Sequence, residues 1–96
     1  MTPKIIMYLT ARCPYCVRAE RLLAAHGVVD IFRIRIDLEP QKRIEMIQKS
    51  GRRTVPQIYV GDFHVGGYEE LAELDQAGRL QPLLQGEPAQ ADRTGT

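Results

Sequence analysis

The sequence predicts an α/β domain in which a four-stranded mixed sheet is flanked by helices, in the order β-α-β-α-β-β-α. Three observations carry that expectation. Ile5-Ile6-Met7-Tyr8-Leu9 is a continuous apolar run, as in a strand covered on both faces. Two later segments show apolar residues at helical spacing, and Gly61-Asp62 separates two short apolar stretches as a two-residue hairpin turn does.

Taken in order, Ile5–Leu9 is the expected central strand, followed by the loop Thr10-Ala11-Arg12. Pro14 suits the first turn of a helix, where its missing N–H has no intrahelical partner to lose. Tyr15, Ala19, Leu22, Leu23 and His26 then recur at spacings of three and four, and Gly27 ends the helix. In Ile31–Ile36, Ile34 and Ile36 share one face opposite Arg33 and Arg35, which fits a half-exposed edge strand blunted by charge. Asp37 reads as the N-cap of a helix from about Glu39 to Lys49, with Ile44 and Ile47 inward and Gly51 as its stop. Gln57–Val60 and Phe63–Val65 form the hairpin, and Gly66-Gly67 leads into a helix from Tyr68 to about Ala77, closed by Gly78. A last helical turn near Leu80–Leu84 can cover the sheet. Tyr8, Phe32, Tyr59 and Phe63 read as packing residues, and His26 and His64 as structural or surface ones. A β-α-β unit, then a helix, a hairpin and a final helix, is the thioredoxin-like architecture.

Ninety-six residues make one domain, set at residues 1–84, because a second core would need roughly another 100 residues. Residues 85–96 lack the apolar surface to offset their ordering entropy and read as a disordered tail. Twelve acidic side chains nearly balance 13 basic ones, so no strong field is available to hold nucleic acid or an anionic membrane. The apolar run at residues 5–9 is too short for a signal peptide or a membrane span, which implies a cytoplasmic, reducing environment. There a disulfide is more often catalytic than structural.

Cys13-Pro14-Tyr15-Cys16 lies between a predicted strand and a helix, the context in which C-x-x-C is redox-active. Cys13 falls at the helix N-terminus, where open N–H groups and the positive end of the dipole favour a thiolate, and its sulfur is expected to be exposed. Such placement lowers a thiol pKa from about 8.5 to roughly 3.5–7.5. Cys16, one turn further in, is expected to stay a shielded thiol until Cys13 is oxidised. A fixed disulfide across two residues would restrict the unfolded chain very little. A zinc site would need His26 and His64, neither at finger spacing from the cysteines, so no metal is expected. By themselves, Pro56 is an ordinary strand-start proline and Gly66-Gly67 a turn. The alternative for the glycines is an anion site at a helix start.

Together, Cys13-Pro14-Tyr15-Cys16, Thr54-Val55-Pro56 and Gly66-Gly67, in this order and spacing, resemble a dithiol glutaredoxin over about residues 4–84. The resemblance implies that Pro56 is cis and faces Cys13, that the Val55 backbone pairs with the glutathione peptide, and that Gly67, Tyr68 and Glu69 hold its γ-glutamyl end. It places Arg12, Tyr15 and Thr54 among the glutathione-binding residues. Two departures stand out. Thr10 occupies the place of a common family lysine, leaving Arg12 to supply the positive charge, and the last helix opens Tyr68-Glu69-Glu70 where two aspartates are usual. The implied activity is glutathione-dependent reduction of protein–glutathione mixed disulfides and protein disulfides by a cytoplasmic monomer. Two rivals are a protein reduced by a flavin-dependent thioredoxin reductase and a glutathione-ligated iron–sulfur scaffold.

Overall fold

A computed structural model of the chain describes residues 3–86. Its elements are β1 (Ile5–Leu9), α1 (Pro14–Ala25), β2 (Phe32–Arg35), α2 (Pro40–Ser50), β3 (Gln57–Val60), β4 (Phe63–Gly66), α3 (Tyr68–Gln76) and α4 (Leu80–Leu84). The sheet order is β2-β1-β3-β4, with β1 and β2 parallel and both other pairings antiparallel. The expected fold class, central strand, arginine-bearing edge strand and hairpin are all present. Most of the segment read as a tail, residues 87–96, lies outside the described residues. No described helix is long and apolar enough to cross a membrane.

Strand alternation divides the core in two. Ile5, Met7 and Leu9 of β1, with Ile58 and Val60 of β3, join Leu23, Leu71 and Leu80 in one cluster under α1, α3 and α4. Tyr8 and Tyr59 point the other way and pack with Ile34, Ile36 and Met46 beneath α2. The tyrosine rings meet edge to face at 6.1 Å, and Tyr8 Oη donates to Glu45 Oε2 at 2.6 Å. Lys49 Nζ lies 4.9 Å from the Tyr59 ring centroid. α2 is thus pinned by two tyrosines as well as by its apolar face.

Four details differ from the sequence expectation. Ile44 is 56% exposed, because α2 turns Met46 fully inward and a residue two positions earlier lies about 200° round the helix. Asp37 is not the N-cap of α2. Pro40 fixes the first helical position, so Glu39 precedes it as N-cap, while Asp37 takes two bonds from Arg35, at 2.7 and 2.8 Å. Tyr15 is 52% exposed, the buried stripe of α1 being Cys16, Ala19 and Leu23. Phe32 is 53% exposed and lies under the Lys4 ammonium rather than in the core.

His26 ties the end of α1 to the last two helices. Its Nε2 lies 2.6 Å from Asp75 Oδ1 and its Nδ1 2.5 Å from Gln81 Oε1. Two acceptors facing both ring nitrogens favour the imidazolium, and the Gln81 and Asp75 bonds raise the His26 pKa. A pKa raised by folding adds stability below the ordinary histidine value of about 6.5, and that stability disappears as pH rises through the folded value. The wild type should therefore melt higher than His26→Leu at pH 5.5 by an amount that shrinks toward pH 9. For a pair this exposed the charge-linked part is at most about 1 kcal/mol, roughly 4–8 °C in a small domain. A Tm difference that does not change with pH would exclude a charged His26.

Candidate active site

The end of β1 and the start of α1 set the first half of the site. Cys13 is the N-cap of α1, in extended backbone (φ −135°, ψ 101°), and its sulfur occupies the place that a serine or aspartate oxygen usually takes. The Cys16 N–H donates to Cys13 Sγ at 3.2 Å. A backbone donor and the positive end of a twelve-residue helix thus both meet this sulfur, and both favour negative charge on it. Both cysteines are free thiols. Cys16 faces the core under α1 at 2% exposure. Burial pushes its pKa up to about 12, the hydrogen bond with Cys13 adds to this, and a bond to the Thr10 backbone opposes it.

The second half arrives from far along the chain. Cys13 Sγ lies 3.8 Å from the carbonyl oxygen of Val55, 42 residues away, and the Val55–Pro56 bond is cis, as the resemblance implied. Cover from this segment explains why Cys13 is only 7% exposed, against the expected open sulfur. A Cβ on Gly67 would stand 3.4 Å from the Pro56 carbonyl oxygen, so the start of α3 backs directly onto this segment. Tyr15 of α1 and Tyr68 of α3 bring their rings to 6.3 Å, with the Arg18 guanidinium 5.4 Å from the Tyr15 ring. Arg12, Thr54 and Glu69 are exposed.

Glu70 has a role that the sequence reading did not single out. Its Oε1 accepts from the Gly67 N–H at 2.7 Å and from Arg52 Nη1 at 3.1 Å, and these bonds, the backbone one foremost, lower its pKa. This is half of a capping box, since glycine has no side chain to return the bond, and the Gly67-x-x-Glu70 spacing was the available signal. Gly66 makes room for it: its φ is +112°, and a Cβ there would stand 2.8 Å from Glu70 Oε1. The Gly67 amide is therefore engaged internally, and no side chain among the described residues caps the first turn of α3. Within the described residues, no group of three or more His, Cys, Asp or Glu side chains is placed to hold a metal ion.

Comparison with known proteins agrees with this geometry. The glutaredoxin family profile matches residues 5–65. A glutaredoxin of Pseudomonas aeruginosa is 48% identical over 82 residues, covering 85% of this chain and 96% of the relative. Glutaredoxin 3 of Escherichia coli is 47% identical over 78 residues, covering 81% and 93%. Among solved structures, the glutaredoxin of Brucella melitensis superposes with a TM-score of 0.78 at 41% identity, covering 91% of this chain and 95% of that one. A buckwheat glutaredoxin–glutathione complex gives 0.78 at 28% identity, covering 85% and 76%.

The unequal surroundings of the two thiols predict their labelling. Iodoacetamide at pH 7 should modify one thiol in the native protein, at Cys13, and two after unfolding. Native Cys13→Ser should label at a rate that keeps climbing above pH 9, since burial, the main cause of the raised Cys16 pKa, remains when Cys13 is gone. Peptide mapping that finds Cys16 labelled first at neutral pH would refute this ordering.

Proposed function

The chain belongs to the glutaredoxin family of glutathione-dependent thiol–disulfide oxidoreductases, and we propose that Cys13 is its nucleophile and Cys16 its resolving thiol. The observation that carries this assignment is the asymmetry at the start of α1. Both sulfurs are covered, but that of Cys13 receives a backbone N–H at 3.2 Å, while burial in the core holds Cys16 protonated.

In the monothiol cycle, the Cys13 thiolate attacks the glutathione sulfur of a protein–glutathione mixed disulfide. That S–S bond breaks, the protein thiolate leaves and takes a proton, and Cys13 carries glutathione. A second glutathione thiolate attacks this disulfide, releasing oxidised glutathione and the Cys13 thiolate. With an intramolecular protein disulfide, attack by Cys13 leaves a mixed disulfide with the substrate. Cys16 then surrenders its proton and attacks Cys13 Sγ, and the departing substrate thiolate is protonated. Two glutathiones reduce the resulting Cys13–Cys16 disulfide.

Glutathione is held along the cleft by Val55, Tyr68 and Glu69, with Gly67 giving close approach and Arg12, Tyr15, Thr54 and Pro56 completing the walls. Backbone donors at the uncapped start of α3 suit the γ-glutamyl carboxylate. The buckwheat relative, solved with glutathione, supports the same ligand here. The domain at residues 1–84 works as a cytoplasmic monomer on glutathionylated and disulfide-containing proteins, without metal, nucleic acid or membrane. Pro14 supports the metal-free reading, because it lacks an N–H for a cluster sulfide and stiffens the turn a bridging partner would have to approach.

Two experiments test these assignments. Cys13→Ser should abolish turnover of every disulfide substrate, whereas Cys16→Ser should keep activity on a glutathionylated peptide within about threefold and lose it on an intramolecular protein disulfide. Equal loss in both variants on the glutathionylated peptide would falsify the roles. Anaerobic reconstitution with iron, sulfide and glutathione should leave the wild type colourless and monomeric on gel filtration. A coloured, glutathione-dependent dimer would instead favour the scaffold reading.

A further inference from the structure

Gln57 has no solvent exposure and lies on the first residue of β3, directly after the cis proline. A buried amide must place both its donor and its acceptor, and here both are used. Gln57 Nε2 donates to the Thr54 carbonyl at 2.9 Å, and Gln57 Oε1 lies 2.7 Å from His64 Nε2. The orientation follows from chemistry, because the Thr54 carbonyl can only accept. The amide nitrogen must therefore face Thr54, its oxygen must face His64, and His64 must donate from Nε2. The imidazole is itself fixed, stacked on Tyr59 at 4.8 Å with 26° between the rings. Burial and Arg52 lower the His64 pKa, with Glu70 opposing, which disfavours the imidazolium.

We propose that Gln57 and His64 are positioning residues, which fix the Thr54–Val55 backbone against the glutathione cleft through the series His64 Nε2–H to Gln57 Oε1 and Gln57 Nε2–H to Thr54 O. Thr54 is exposed and the Val55 carbonyl stands 3.8 Å from the Cys13 sulfur, so this segment has reactive chemistry on one side and solvent on the other. The Gln57 bond holds the peptide just before Val55 to the side of the sheet that packs under α2. The inference rests on the reading that the Val55 backbone pairs with glutathione.

The test uses the Cys16→Ser protein carrying glutathione as a mixed disulfide on Cys13, and measures amide hydrogen exchange at Val55 with and without that disulfide. In this parent, glutathionylation should slow Val55 exchange about fivefold or more, the protection an ordinary hydrogen bond gives. Adding Gln57→Leu, or His64→Leu, should cut the effect to below about twofold, while His64→Gln, which retains a donor, should preserve it. Far-UV circular dichroism and Tm report whether each variant is folded. Should Gln57→Leu fail to fold, the two His64 variants decide alone. Protection that survives Gln57→Leu and His64→Leu overturns the positioning role and leaves the Val55 contact standing. Loss in His64→Gln as well shows a need for the imidazole as packing and also overturns the role. Absence of protection in the parent overturns the Val55 contact and this inference together.

Discussion

The antiparallel pairing of β1 with β3 is the constraint on which the site depends. Its register sets Tyr8 opposite Gln57 and Ile5 opposite Val60, so the chain leaving β1 and the chain entering β3 meet at one end of the sheet. The first carries Cys13 four residues beyond Leu9, and the second carries Val55 two residues before Gln57. A shift of one residue would turn Tyr59 and Gln57 into the aliphatic cluster under α1 and expel Ile58 and Val60 from it. The two-sided core thus holds the register, and the register holds a sulfur and a carbonyl from distant parts of the chain at 3.8 Å.

One helix start then gives two cysteines opposite characters. At the N-cap, a sulfur replaces the customary oxygen and collects a backbone donor. One turn on, the same kind of side chain points into apolar packing and keeps its proton. The start of α3 repeats the theme with different partners. Its Gly67 amide is satisfied by Glu70, which Arg52 steadies, so part of the helix start is committed to structure while the first-turn amides carry no side-chain cap.

The fold could be read from the sequence because its signals are local. The apolar run of β1, the proline at the first turn of α1 and the Gly61-Asp62 hairpin each act within a few residues. The Cys13/Cys16 pair was equally plain from spacing and position. Failures came where two local solutions competed or a distant segment intervened. Ile44 and Met46 offer α2 different apolar faces, and the tyrosine floor beneath it favours Met46. Asp37 is a good cap by type, yet Arg35 two residues earlier claims its carboxylate. The enclosure of Cys13 depends on Val55, 42 residues on, which no local pattern reports. The cis bond came from the family likeness, since the residues alone favour trans, and the Gln57–His64 contact spans a hairpin whose pairing is irregular at Ile58/Tyr59.

The four tyrosines fall into two pairs, in a chain with no tryptophan. Tyr8 and Tyr59 are buried and meet at 71°, whereas Tyr15 and Tyr68 flank the cleft at 34°. One pair is buried with its phenols held back from ionising, whereas in the other Tyr15 is 52% exposed and Tyr68 is partly buried against the core. Tyrosine signals from this protein therefore divide by origin. The near-ultraviolet dichroism should come mainly from the packed pair at the seat of α2, and reaction with a water-borne phenol reagent mainly from Tyr15.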